Sequence, residues 1–109
     1  MPPNMPPVIT AYFQAANSHD SDGAARCFAS NGIVKDEGER HEGHAAIKAW
    51  KEKVSEKYNA TMVPNAIETD VTRYKVTANV SGNFPGSPLN MAFSFTLSGD
   101  HITLLEITG

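Results

Sequence analysis

Apolar positions along the chain change period once. Up to Tyr58 most of them recur every three or four residues, and from Ala60 onward they alternate. Val8, Ile9, Tyr12, Phe13 and Ala16 share one face of a first helix. Pro6-Pro7 suits its start, where a missing N–H costs nothing. Asn17-Ser18-His19-Asp20 ends it, and Asp20, Ser21 and Asp22 can each cap a second helix. That helix is short, with Ala24, Cys27 and Phe28 as its buried stripe, and Ser30-Asn31-Gly32 reads as a turn after it. Ile33 and Val34 then open a short strand that ends at Asp36 and Glu37, where Gly38 breaks it. Arg40 and His41 resume an extended path as far as Gly43. A third helix is predicted from His44 to Tyr58, with Ile47, Trp50, Val54 and Tyr58 as its apolar stripe. Lys48, Lys51, Glu52, Lys53, Glu56 and Lys57 cover its other faces and read as solvated surface.

The second half reads as strands. Residues 60–69 form an extended segment interrupted by Pro64, which cannot donate to a ladder, so this strand lies at an edge or carries a bulge. After a turn at 70–72, Tyr74, Val76, Ala78 and Val80 alternate with polar residues. A loop over 83–88 leads to Leu89, Met91, Phe93, Phe95 and Leu97, which alternate in the same way. Residues 102–107 are apolar at both parities and read as a central strand covered on both faces. Three helices followed by antiparallel strands make an α+β fold, with the helices packed on one face of a strongly curved, mostly antiparallel sheet. The apolar outer face left by this arrangement predicts a homodimer through the sheet.

Composition narrows the classes. A chain of 109 residues suits one domain, expected over 8–109 after an extended Pro-rich arm at 1–7. A net charge of −3 with no basic run argues against nucleic acid. No apolar run reaches the ~20 residues of a membrane span. The first residues lack signal-peptide character, and a single cysteine permits no internal disulfide, both of which fit a cytoplasmic location.

Candidate chemistry gathers in 34–44. Asp36 ends a strand beside apolar residues, where desolvation suits a carboxylate to proton transfer. Glu37 alternates to the other side, toward solvent or a partner. His41 is a second group able to titrate near neutrality. Tyr12 lies on a buried helix face and reads either as a core tyrosine or as a pocket donor. Trp50 reads as core or pocket wall. His44, after Gly43, reads as structural or exposed, and Gly43 rules out a paired-histidine helix, so no metal is expected. Cys27 has no base near it in sequence and reads as packing. Phosphate-loop, dinucleotide and Ser-His-Asp patterns are absent from the sequence, and no cofactor is expected.

Taken together, Tyr12-Phe13-Gln14-Ala15-Ala16-Asn17, Asp20-Ser21-Asp22-Gly23, Phe28-Ala29, Ile33-Val34-Lys35-Asp36, Gly43-His44-Ala45-Ala46-Ile47 and Gly99-Asp100-His101-Ile102 carry a resemblance. In order and spacing the chain from Val8 resembles the nuclear-transport-factor-2-like superfamily, in particular its SnoaL-like (polyketide-cyclase-like) and ketosteroid-isomerase-like members. The resemblance implies a cone-shaped half-barrel with a deep pocket, commonly dimeric. It implies Tyr12 as an oxyanion donor and Asp36 as the general base. The second oxyanion donor of the isomerases would fall near Met91, which cannot donate. The expected site is therefore Asp36, Tyr12 and His41, with Trp50, Phe28, Met62, Phe84, Met91 and Phe93 around a small apolar ligand. Two functions fit: a cofactor-independent enzyme that isomerises, cyclises or hydrates an apolar carbonyl compound, or a non-catalytic ligand-binding or dimerisation module.

Overall fold

The computed structural model describes residues 5–108. Three helices, α1 (Pro7–Asn17), α2 (Ser21–Arg26) and α3 (His44–Tyr58), combine with six strands. The strands are β1 (Phe28–Asp36), β2 (Glu39–Glu42), β3 (Thr61–Asp70), β4 (Arg73–Ser81), β5 (Leu89–Ser98) and β6 (His101–Thr108). They form one curved, open sheet in the order β2-β1-β6-β5-β4-β3. Every neighbouring pair is antiparallel except β1 with β6. Pro64 stands in the edge strand β3, and the register of β3 on β4 shifts beside it. Both ways of accommodating a missing N–H are thus used at once.

The alternation in β4 and β5 aims one row of side chains at the helices. Val76 pairs with Phe93, Ala78 with Met91, and Phe95 with Leu105 of β6. Against this row α1 packs Tyr12 and Phe13, whose rings meet Phe28, Phe93 and Phe95 edge to face, with centroids 5.3 to 6.0 Å apart. The opposite face of the sheet is mixed: Lys75, Ser94, Glu106 and Lys35 follow one another across four strands, with Ile33, Ala92 and Leu104 partly exposed among such residues.

Two local expectations need correction. Phe28 is the first residue of β1, not part of α2. The helix stops at Arg26 because the Cys27 carbonyl accepts from the Ile102 N–H at 2.9 Å, which hands the chain to the sheet. Ser30-Asn31-Gly32 is likewise not a turn between elements but a bulge inside β1. Phe28 pairs with Ile102 while Ile33 pairs with Leu104, so the residues between are excess on that strand. Gly32 permits the bulge, since a Cβ there would lie 2.9 Å from the Phe28 Cβ. Of the arm expected at 1–7, residues 1–4 lie outside the described residues, and Pro7 already belongs to α1.

Asn17 closes α1 onto the edge strand. Its Nδ2 donates to the Met62 carbonyl and its Oδ1 accepts from the Met62 N–H, each at 2.8 Å. One side chain thereby imitates a neighbouring strand where β3 has none. Asn17→Ala strands both Met62 groups beside a buried side chain. The expected loss is about 1–3 kcal/mol in urea unfolding, and Asn17→Asp, which keeps only the acceptor, should recover no more than part of it. An Ala variant as stable as the parent would show that water replaces the clamp.

Candidate functional site

Between α1, α3 and the inner face of the sheet lies a cavity of about 270 Å³. That is just under the ~300–1,000 Å³ of typical small-molecule sites. Its apolar wall comes from Met62, Phe84, Met91 and Phe93 with Val54, Leu89 and Ile107, and Trp50 and Tyr12 complete it. Met62, Phe84 and Met91 therefore bound open space instead of filling it.

The polar end is built by a hairpin. Asp36 pairs with Glu39 across a two-residue turn in which Glu37 and Gly38 have φ of 54° and 76°. Positive φ at both central positions matches the twist of the flanking strands and makes this the tightest way to end β1. Asp36 is consequently held at the strand end, where it lines the cavity and its Oδ2 accepts from the Trp50 Nε1–H at 3.1 Å. Burial raises its pKa above the ordinary carboxylate range, and Glu37 adds to this. The Trp50 hydrogen bond, His41 and Lys51 work the other way.

Glu37 does not turn away as alternation suggests. The left-handed turn conformation brings it to the cavity wall, where its Oε1 accepts from the Tyr58 hydroxyl at 2.6 Å. His41 shares a face with Val34, its cross-strand partner, yet does not line the cavity. It packs on Trp50, ring centroids 6.0 Å apart and tilted by 32°, with Nε2 3.8 Å from Glu39 Oε2. Phe28 is also outside the lining, fully buried in the aromatic core. Asp36, Tyr12, Trp50, Met62, Phe84, Met91 and Phe93 are thus brought together, and His41 and Phe28 are not. His44 donates from Nε2 to the Phe28 carbonyl at 2.7 Å, a structural role.

Lys51 overturns the reading of α3 as solvated on its charged faces. It is 5 % exposed and lines the cavity, with Nζ 5.6 Å from the Trp50 ring centroid. Burial lowers its pKa to about 8, against the pull of Asp36 in the other direction. Ser55, one turn further on, presents a buried hydroxyl without a partner, and so does Tyr12. Burial, reinforced by the nearby Asp36 and Cys27, lifts the Tyr12 phenol well above its usual range and keeps it a neutral donor. A signal for the missed pair was present. Ile47, Trp50, Lys51, Val54, Ser55 and Tyr58 follow the i, i+3, i+4, i+7, i+8, i+11 pattern of one helix face.

The cavity thus combines a desolvated carboxylate, a desolvated amine and two unpartnered hydroxyls with an apolar remainder. Such a set can move a proton on a small apolar molecule and stabilise a developing oxyanion. Among proteins with curated descriptions none matches the chain. A candidate polyketide cyclase of Sinorhizobium meliloti is 36 % identical over 95 % of both chains, with a TM-score of 0.92. A Catenulispora acidiphila protein with a ketosteroid-isomerase-like fold, solved with trimethylamine, is 20 % identical over 97 % of this chain and 87 % of its own, with a TM-score of 0.87. SalBIII, an epoxide hydrolase/cyclase-like enzyme of pyran-ring formation in the polyether salinomycin, is 20 % identical over 93 % of this chain and 86 % of its own, with a TM-score of 0.78. The last two likenesses bear on the fold alone. The sequence profile of the SnoaL-like domain matches residues 9–105, and the chain belongs to that family.

Proposed function

We propose that the protein is a cofactor-independent acid–base catalyst acting on a small apolar carbonyl compound, with isomerisation or ring closure as the outcome. The observation that carries this is Asp36, a carboxylate with its pKa raised by burial, fixed by the Trp50 N–H on the wall of an otherwise apolar cavity. In the proposed step Asp36 takes the proton α to the carbonyl, and the Tyr12 hydroxyl donates to the oxygen as it becomes an enolate. The proton returns to a different carbon in an isomerisation. In a cyclisation the enolate carbon attacks a second carbonyl of the same molecule, and the alkoxide so formed takes the proton back from Asp36. His41, packed on Trp50 outside the cavity, takes no proton in this step. The relative from Sinorhizobium meliloti supports the cyclase form of the reading.

Hydrogen–deuterium exchange at the α-carbons of 2-tetralone tests the proposal without knowledge of the natural substrate. The protein should accelerate exchange over buffer, saturably. The rate should rise with pH through a midpoint above the ordinary carboxylate value of 3.8, because the base must be ionised and Asp36 ionises late. A midpoint at or below that value, or exchange no faster than buffer at saturating protein, would reject Asp36 as the base.

A further inference from the structure

The acid–base reading leaves Lys51 without a task. The residue is 5 % exposed and on the cavity wall, whereas the other five lysines, Lys35, Lys48, Lys53, Lys57 and Lys75, are exposed. Among the described residues no carboxylate forms an ion pair with its amine. The amine sits over the Trp50 ring whose N–H holds Asp36, so a nitrogen nucleophile and a carboxyl group flank one indole at the same cavity end. A surface lysine would be held as ammonium by water. Here the Trp50 ring faces the charge but no carboxylate among the described residues pairs with it, and its pKa of about 8 is that of an amine with a usable neutral fraction.

We propose that Lys51 is a nucleophile that condenses with an aldehyde or ketone in the cavity to form an imine, with Asp36 carrying the protons. The Nζ lone pair attacks the carbonyl carbon, and the proton lost by nitrogen passes through Asp36 to the former carbonyl oxygen. The resulting carbinolamine loses that oxygen as water, its second proton being the one that the Asp36 carboxylate took from the Lys51 ammonium when it freed the amine, and leaves a protonated imine with the carboxylate restored. No oxidant or reductant is consumed, and addition of water reverses the step. The iminium withdraws electrons more strongly than the carbonyl it replaces, so it acidifies the same α C–H. That last benefit rests on the acid–base reading. Formation of the adduct does not.

Reductive trapping separates the two. The protein is incubated with 2-naphthaldehyde and sodium cyanoborohydride, which delivers hydride to the imine carbon and leaves a stable secondary amine. Intact mass and peptide mapping then locate the label. The first adduct should fall on Lys51, saturably, and more than about tenfold faster than on any exposed lysine, since the free-amine fraction at neutral pH is greater for the lower pKa. Excess 2-naphthylmethanol, which can occupy the cavity but cannot condense, should slow it. Lys51→Met should leave only the slow, scattered labelling of the surface. Because the five exposed lysines serve as internal controls, the result does not depend on how well that variant folds. Labelling that spares Lys51, or that treats all six lysines alike, overturns the proposal. α-Proton exchange that persists without any Lys51 adduct leaves Asp36 as the base and removes the imine. A Lys51 adduct without exchange does the reverse.

Discussion

Asp36→Asn is expected to cut α-proton exchange by about 10²–10⁴-fold, the usual contribution of a positioned general base, while ligand affinity changes little. The amide oxygen can still accept from Trp50 Nε1, so the cavity wall keeps its shape, but the amide cannot take a proton from carbon. The same variant should be more stable than the parent at neutral pH. Asp36 has a folded-state pKa raised above its unfolded value, so its contribution to stability is complete below the ordinary carboxylate range and is lost as pH rises through the raised value. Once pH has passed that raised value the parent holds a desolvated anion, whereas asparagine holds none. The stability gain should shrink when unfolding is followed near pH 4. Exchange at the parental rate in Asp36→Asn would take the residue out of the chemistry.

The second large effect concerns Lys51 and has the opposite pH dependence. Its folded pKa, about 8, lies below the ordinary 10.5, so its contribution is present above 10.5 and lost as pH falls through 8. At pH 7 the native state therefore carries a buried ammonium at a cost of about 3 kcal/mol. Lys51→Met keeps the stem and removes the charge. It should stabilise the protein by an amount on that order at pH 7, raising Tm by roughly 10 °C or more. Most of the gain should be gone by pH 10, where the parent amine is neutral in the fold. Thermal melts of both proteins at the two pH values decide the matter. An equal gain at both would assign it to packing, and a loss at pH 7 would mean that the ammonium is well paired.

These two variants share a logic. A carboxylate, an amine and the hydroxyls of Tyr12 and Ser55 are all held away from water without full compensation. Any one of them would be easier to bury as an apolar group. Their presence together in one cavity is a stability cost, and under the proposed function a ligand's own polar atoms would offset it.

How much of this was legible depends on which rule governs each residue. The strands β4 and β5 follow their alternation closely because one face is buried and a slip would invert every side chain. Asp36 was legible for the same reason, as the last residue of a strand leading out of an apolar pair. Glu37 was not, because alternation ceases to apply once the backbone enters the left-handed region. Phe28 and the bulge after it escaped because what ends α2 is a hydrogen bond to Ile102, more than seventy residues away. Lys51 was hidden by its own charge. A count of charged residues puts it outside, whereas its position on the helix, one turn after Ile47, puts it inside, and position won. His41 was expected in the pocket beside Asp36, but the large Trp50 ring takes the cavity side and His41 packs on it.

The insertion of β6 between β1 and β5 has a consequence for how the sheet is assembled. The hairpin β1-β2 and the meander β3-β4-β5 are each local in sequence and can form early, but they share no strand pairing with each other. Only β6 joins them, parallel to one and antiparallel to the other. A chain stopped before His101 would hold two half-sheets, each with an open edge and an unfinished apolar face. The cavity would then lack Ile107, and the aromatic core would lack Ile102 and Leu105. Closure therefore waits for the element most distant in sequence from the hairpin it completes. The loop-closure entropy of the parallel β1–β6 pairing is expected to fall late on the folding path.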